Sequence, residues 1–352
     1  MQYRYLGNTG VKVSTICMGA MMFGEWGNPD HDDSVKIIRS AIDQGVNFID
    51  TADVYSAGES EQIVGKAIAG HRDELVIATK VHGRMGPGPN EQGNSRRWIL
   101  RECDNSLRRR GTDYIDLYQV HRPDPHTDID ETLGALTDLV RQGKVRYLGS
   151  STFPPSAIVE AQWTAQRRQR ERFVCEQPPY SMLVRGVEAE VLPTCQKYVM
   201  GVIPWGPLGG GWLSGRWRKG AEGLTSRRAD RIPQRYDLSL PANQVKLEAA
   251  TALGDLAAES GMTLIHMALA FVIGHPAVTS AIVGPRTQEH LDSQLGAAEV
   301  ALEPAILDRI DEIVPPGTNF SWADAGYQPP AIAEAWRRRG GGGRQGAELM
   351  GT

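Results

Sequence analysis

Within the first 121 residues, four side chains carry chemistry when taken together: Asp50, Tyr55, Lys80 and His121. A tyrosine hydroxyl, with an ordinary pKa near ~10, is a poor acid at neutral pH unless its anion is stabilised. A lysine ammonium within a few ångström supplies that stabilisation, and a carboxylate such as Asp50 holds the ammonium in place. Bringing Tyr55 into the neutral range takes roughly 3–4 kcal/mol, feasible in a partly desolvated pocket. His121 would then hydrogen-bond a carbonyl oxygen and orient it, or help relay the proton. The chemistry that suits this set is carbonyl reduction, with a hydride delivered to carbon and the Tyr55 proton to oxygen. Each residue alone has a plainer reading: a packed aromatic, a solvated lysine, a histidine capping a loop ahead of Arg122 and Pro123. The set persuades because its members close successive strands.

Those strands are short apolar runs alternating with segments of helical period. The candidates are Ser14–Gly19, Val46–Asp50, Leu75–Thr79, Tyr114–Val120, Val145–Ser150, Phe173–Gln177, Val199–Pro204 and Thr279–Val283. Between them, Asp33–Gln44 places Val35, Ile38 and Ile42 on one face, and Asp130–Gln142 does so with Leu133, Leu136 and Val140. Asp130 reads as an N-cap, with Gly143 ending that helix. Strict strand–helix alternation implies parallel pairing through right-handed crossovers, and strands apolar throughout imply cover on both faces. Eight such units fit an α/β class (β/α)8 TIM barrel better than an open doubly wound sheet. Tyr3–Leu6 and Val11–Val13, joined through Asn8–Gly10, read as an N-terminal β-hairpin that plugs the barrel. Residues 1–330 read as a single barrel and residues 331–352 as a partly disordered tail. The region 206–241, rich in Gly, Arg and Ser, has no sustained period and reads as a long C-terminal-face loop, a functional lid or a disordered stretch. Active sites of such barrels lie at the C-terminal strand ends, where this sequence places Asp50, Lys80, His121, Ser150–Ser151, Gln177, Trp205 and Gly284–Arg286.

Composition excludes several classes. With 38 basic and 42 acidic residues the formal charge is −4, so no global basic field favours nucleic acid or anionic membrane. Cys17, Cys103, Cys175 and Cys195 are widely spaced and read as reduced core thiols, and the eight histidines show no HxxxH spacing, so no metal is expected. No stretch approaches the ~20 apolar residues of a membrane span, and residues 1–25 lack a signal pattern; the expected location is cytoplasmic.

At this point the residues resemble a family. The stretch from Phe48 to Ser56, leading into Gly58-Glu59-Ser60-Glu61, is similar to the signature of the aldo-keto reductases. So are Ile77–Lys80, Tyr114–His121, Gly143–Gly149, Glu176–Ser181 and Pro207–Gly211, in order over roughly residues 1–315. The resemblance implies the same barrel, NADPH or NADP+ extended across its C-terminal rim, and a catalytic tetrad falling on Asp50, Tyr55, Lys80 and His121. It further implies that Ser151 and Gln177 hold the nicotinamide carboxamide while Trp205 stacks on the ring. Pro207, Leu208, Gly209 and Gly211 would pass over the pyrophosphate, with Arg228 closing over the phosphates. Gly284 would belong to the coenzyme site, and Arg286 just after it would meet the adenosine 2′-phosphate, favouring NADPH over NADH. Two departures stand out. Thr152 follows Ser151 where many relatives carry Asn, and His290 and Gln294 fall at the adenine positions.

Within the family the chain looks similar to the branch of potassium-channel β-subunits and bacterial reductases of aldehydes and keto-sugars. Asp311–Thr318 and Ala323–Gly326 resemble bacterial reductases of deoxysugar pathways. The implied substrate is an aldehyde or ketone, with a keto-sugar or sugar nucleotide among the candidates. Met22, Phe23, Trp26, Val54, His82 and Trp322 would line its pocket. The alternative is an NADPH-sensing regulatory subunit with little turnover. A Schiff-base lyase is disfavoured, since Asp50 would keep Lys80 charged. The expected partner is a small carbonyl compound, with no nucleic acid and no membrane; assembly as a homo-oligomer stays open.

Overall fold

In the computed structural model, which describes residues 1–220 and 227–339, alternation along the strands decides what faces the barrel axis. The hairpin strands β1 (Tyr3–Tyr5) and β2 (Lys12–Ser14) pair antiparallel. Eight strands follow: β3 (Ile16–Gly19), β4 (Phe48–Asp50), β5 (Val76–Val81), β6 (Ile115–Val120), β7 (Val145–Ser151), β8 (Phe173–Gln177), β9 (Gly201–Val202) and β10 (Ala281–Val283). They form one parallel sheet in the order β10-β3-β4-β5-β6-β7-β8-β9. The sheet closes on itself, because Thr279 N donates to Val202 O at 2.8 Å and Ile282 N to Pro204 O at 2.9 Å. The chain is therefore an eight-stranded (β/α)8 barrel with an N-terminal hairpin.

Phe48, Ala78, Leu117 and Cys175 meet on the axis with Cys17, Ile203 and Ile282, and Leu6 and Val13 from the hairpin region seal the lower end. Two residues further along the same strands come Asp50, Lys80, Gln119 and Gln177. The period of two points them inward as well, one layer higher. An apolar layer below and a polar layer above thus come from one alternation. Gly149 on β7 leaves room for that polar layer: a Cβ there would lie 2.9 Å from Gln119 Cγ. The larger core lies outside the strands, against helices that include α1 (His31–Asp43), α2 (Glu59–Ile68), α3 (Arg96–Arg110) and α4 (Ile129–Arg141). All four cysteines are buried and free.

Several boundaries differ from the sequence reading. The N-cap of α4 is Asp128, whose carboxylate accepts from Asp130 N at 2.8 Å; of the two aspartates in Asp-Ile-Asp, the earlier one reaches the free amides. β9 begins at Gly201, because Val199 adopts a left-handed φ of 53° and Met200 N still closes the preceding helix on Cys195 O. The region 206–241 carries more order than its composition suggests. A 3-10 turn (Gly209–Ser214), the short helix α5 (Arg227–Arg231) and a second turn (Pro233–Arg235) lead into α6 (Pro241–Glu259). Trp212, Trp217 and Tyr236 stack on one another, Tyr236 Oη donates to Gly210 O, and Asp324 accepts from both Arg235 and Lys246 in the interior. Residues 221–226 of this region, and 340–352 of the expected tail, lie outside the described residues. Among the described residues no single helix is long and apolar enough to cross a membrane.

Candidate active site

A cleft of ≈ 940 Å³ opens at the C-terminal ends of the strands. Its floor is the polar layer. Lys80, fully buried on β5, donates to Asp50 Oδ1 at 2.5 Å, to Thr51 O at 2.8 Å and to the Tyr55 hydroxyl at 3.3 Å. Asp50 Oδ2 accepts from Gln119 Nε2 at 3.0 Å and from Gln177 Nε2 at 2.9 Å. Burial alone would lower the Lys80 pKa. The Asp50 carboxylate and the Tyr55 hydroxyl outweigh it and hold the ammonium above the ordinary lysine range. A lysine held charged in this way is no Schiff-base nucleophile.

Tyr55 stands on a turn rather than a strand. Ser56 and Ala57 both take left-handed φ, 48° and 54°, a strain of about 1–3 kcal/mol at each non-glycine position. The neighbouring loop braces the turn: Trp26 N donates to Ser56 Oγ and Glu25 N to Glu59 Oε2. Behind it, Glu61 of α2 is buried between Thr79 Oγ1 of β5 and Arg109 of α3, each at 2.6 Å, which ties the helices to the strand that bears Lys80. The His121 ring meets Tyr55 edge-on with centroids 5.8 Å apart. Burial, then the charges of Arg122, Lys80 and His82, push the imidazole well below its ordinary pKa, so His121 is neutral at pH 7 and keeps one N–H to donate.

One wall of the cleft comes from β7 and β8. Ser151 Oγ donates to Gln177 O at 3.0 Å, which leaves it an acceptor, and Gln177 Oε1 accepts no hydrogen bond from a described residue. Trp205 lines the cleft with its Nε1 donating to Thr152 Oγ1 at 3.4 Å. Thr152 itself sits at φ 58°, a conformation that asparagine tolerates better than a β-branched residue. Glu176, just before Gln177, turns the other way; it accepts from Ser150 Oγ and Phe153 N and anchors this loop.

The far half of the cleft suits a dinucleotide. Gly206 and Gly211 line it in left-handed conformations, 70° and 103°, with nothing within 4 Å of where a Cβ would stand. Pro207, Leu208, Gly284, Arg216, Arg228 and Arg286 line it too, and the three arginines have no carboxylate within ion-pair distance among the described residues. Burial, with Arg286 and Arg216 beyond it, pushes His290 below its ordinary pKa. Two lining groups are buried without a hydrogen-bond partner, Ser214 Oγ and Gln294 Oε1. A phosphate chain flanked by cations and an amino-substituted base is the chemistry these vacant donors and acceptors match.

Not every residue expected here is here. Met22, Trp26 and Val54 line the cleft. Phe23 does not: it is fully buried in the outer core. His82 lies outside the cleft, its Nδ1 engaged with Asn94 Oδ1 at 2.9 Å, and Trp322 is 60% exposed outside it. Gly209 is buried, where a Cβ would face Leu183 at 3.3 Å, and is the one glycine of the loop sequence Gly209-Gly210-Gly211 that does not line the cleft. Gln119, Arg122, Ser214 and Arg216 were not foreseen. For Gln119 the signal was available, two residues after inward-facing Leu117.

The chain is also similar to known proteins. The model of the Aldo/keto reductase family matches residues 15–315. An uncharacterized oxidoreductase of Bacillus subtilis is 39% identical over 327 residues, covering 90% of this chain and 96% of that protein. A probable voltage-gated potassium channel subunit beta of Arabidopsis thaliana is 36% identical, covering 89% and 97%. Versiconal hemiacetal acetate reductase of Aspergillus parasiticus is 32% identical, covering 89% and 96%.

Proposed function

The chain belongs to the aldo/keto reductase family and is an oxidoreductase, and on that premise we propose that it reduces aldehydes or ketones with NADPH, using Tyr55 as general acid. The observation that carries this reading is the Lys80 ammonium, held by Asp50 and donating to the Tyr55 hydroxyl on the cleft floor. A bound nicotinamide coenzyme supplies the hydride. Lys80 stabilises the phenolate left behind when Tyr55 gives its proton to the carbonyl oxygen. His121, neutral, donates its N–H to the same oxygen and fixes the carbonyl in line for reduction.

Ser151 Oγ and Gln177 Oε1 accept from the carboxamide N–H groups. Thr152 brings no amide; its hydroxyl accepts from Trp205 Nε1 and donates to Ser151 Oγ, which helps hold that acceptor in place. Trp205 offers a face to the nicotinamide ring. Pro207, Leu208 and Gly211 follow the pyrophosphate closely, and Arg228 and Arg216 answer its charge. Arg286 meets the 2′-phosphate, and Gln294 with His290 receives the adenine, whose amino group satisfies Gln294 Oε1. Met22, Trp26 and Val54 wall the substrate end.

The test is coenzyme consumption with NADPH and with NADH against aldehydes, diketones and keto-sugars. Tyr55→Phe should lose about 100-fold or more in kcat while binding NADPH within about twofold of the parent. Full turnover in that variant would remove Tyr55 from its role. Tight NADPH binding without turnover on any carbonyl would favour a coenzyme-sensing regulatory subunit with little turnover.

A further inference from the structure

The arginines assigned to the coenzyme leave one cleft cation unused. Arg122 follows His121 at the tip of β6 and lines the cleft beside Tyr55. Its Nη1 donates to His121 O at 2.5 Å. No described carboxylate lies within ion-pair distance, and no described hydrogen bond engages its Nε or Nη2, which leaves that edge of a cleft-lining fork without a protein partner. Arg235, also in the lining, differs, because Asp324 neutralises it at 2.7 Å. The carboxylates of the described lining are Asp50, engaged by Lys80, and Glu289, beside His290 at the other end. Burial pushes the Arg122 guanidinium below its ordinary pKa, and the more distant Tyr55 and Glu176 offset that only in part.

We propose that Arg122 is an anion subsite of the substrate pocket, so that the preferred substrates are aldehydes or ketones carrying a carboxylate or phosphate a short carbon chain from the carbonyl. This rests on the reductase reading above. The planar fork of a guanidinium matches either oxyanion with two parallel hydrogen bonds, and the bond to His121 O places that fork beside the residue that receives the carbonyl. Binding the anion at Arg122 would therefore set the distance between the charged group and the reacting carbon.

The experiment compares kcat/KM with NADPH for two matched pairs: 4-oxobutanoate against butanal, and glyceraldehyde 3-phosphate against glyceraldehyde. At least one anion should exceed its neutral partner by about tenfold or more, the yield of a desolvated charge-assisted pair. Which pair shows it distinguishes carboxylate from phosphate. Arg122→Met should collapse that ratio to within about threefold, and Arg122→Lys, which keeps a point charge, should restore part of it. Added salt should lower the ratio in the parent protein, a readout that does not depend on any variant folding. Neutral aldehydes reduced as well as both anions would overturn the subsite and leave the reductase standing. So would an Arg122→Met variant that loses activity equally on both members of a pair, since that is the behaviour of a charge acting on Tyr55 alone. No turnover on any of the four would count against the reductase reading itself.

Discussion

On the cleft floor, Asp50 accepts from Lys80 through one oxygen and from Gln119 and Gln177 through the other, all from within the protein. At the rim proposed for the coenzyme, Ser214 Oγ and Gln294 Oε1 are buried with no partner, and Arg216 and Arg286 have no described carboxylate within ion-pair distance. The floor is complete before any ligand arrives. Its dipoles are already aimed, which is the condition for stabilising charge without reorganisation during the reaction. The rim is complete only with a ligand, so binding energy is concentrated where native partners are missing. Chemistry and affinity are thereby separated along one cleft.

That contrast can be broken by substitution. The largest effect is expected on the floor. Asp50→Asn leaves the Lys80 ammonium buried and uncompensated, a cost of about 3–5 kcal/mol, and should lower the melting temperature by roughly 6–20 °C as well as abolishing most turnover. A melting temperature equal to the parent's would mean the floor is not a closed electrostatic unit.

Arg286→Ala should leave the coenzyme-free protein as stable as the parent and weaken NADPH by about 10- to 100-fold, with NADH changed by no more than about twofold. Equal weakening of both, measured by fluorescence titration, would dislodge Arg286 from the 2′-phosphate. Gln294→Leu should cost about three- to tenfold in NADPH affinity, yet leave apo stability unchanged or slightly higher, because an unpaired buried oxygen is replaced. A drop in apo melting temperature would show that Gln294 has a partner in the protein after all.

The remaining prediction concerns pH. Burial raises the Glu176 carboxyl from an ordinary 4.5 to about 7. Between those values the folded chain holds a proton that the unfolded chain has released, so this group's contribution to stability is present below pH ~4.5 and is lost as pH rises towards ~7. Glu176→Gln should flatten that part of the stability profile in chemical denaturation. An unchanged slope would place the Glu176 titration elsewhere.

The sequence by itself determined the strand–helix alternation, the eight strands and the placing of Asp50, Lys80, His121, Ser151 and Gln177 at strand ends, because periodicity is local and a strand end is visible where an apolar run stops. It carried Gln119 as well, two positions from Leu117, though a glutamine inside an apolar run reads as an interruption until the strand's inward face is known. What only the tertiary structure decided was non-local. Phe23, in the same loop as Met22 and Trp26, turns into the core while they face the cleft, and no local period separates them. The order of region 206–241 comes from Trp212, Trp217 and Tyr236 meeting across 25 residues, and from Asp324 reaching back to Arg235 and Lys246. Arg122 could be read from the sequence as a neighbour of His121. That it faces the cleft without a carboxylate depends on every chain segment that might have supplied one, and barrel closure alone decides which segments come near.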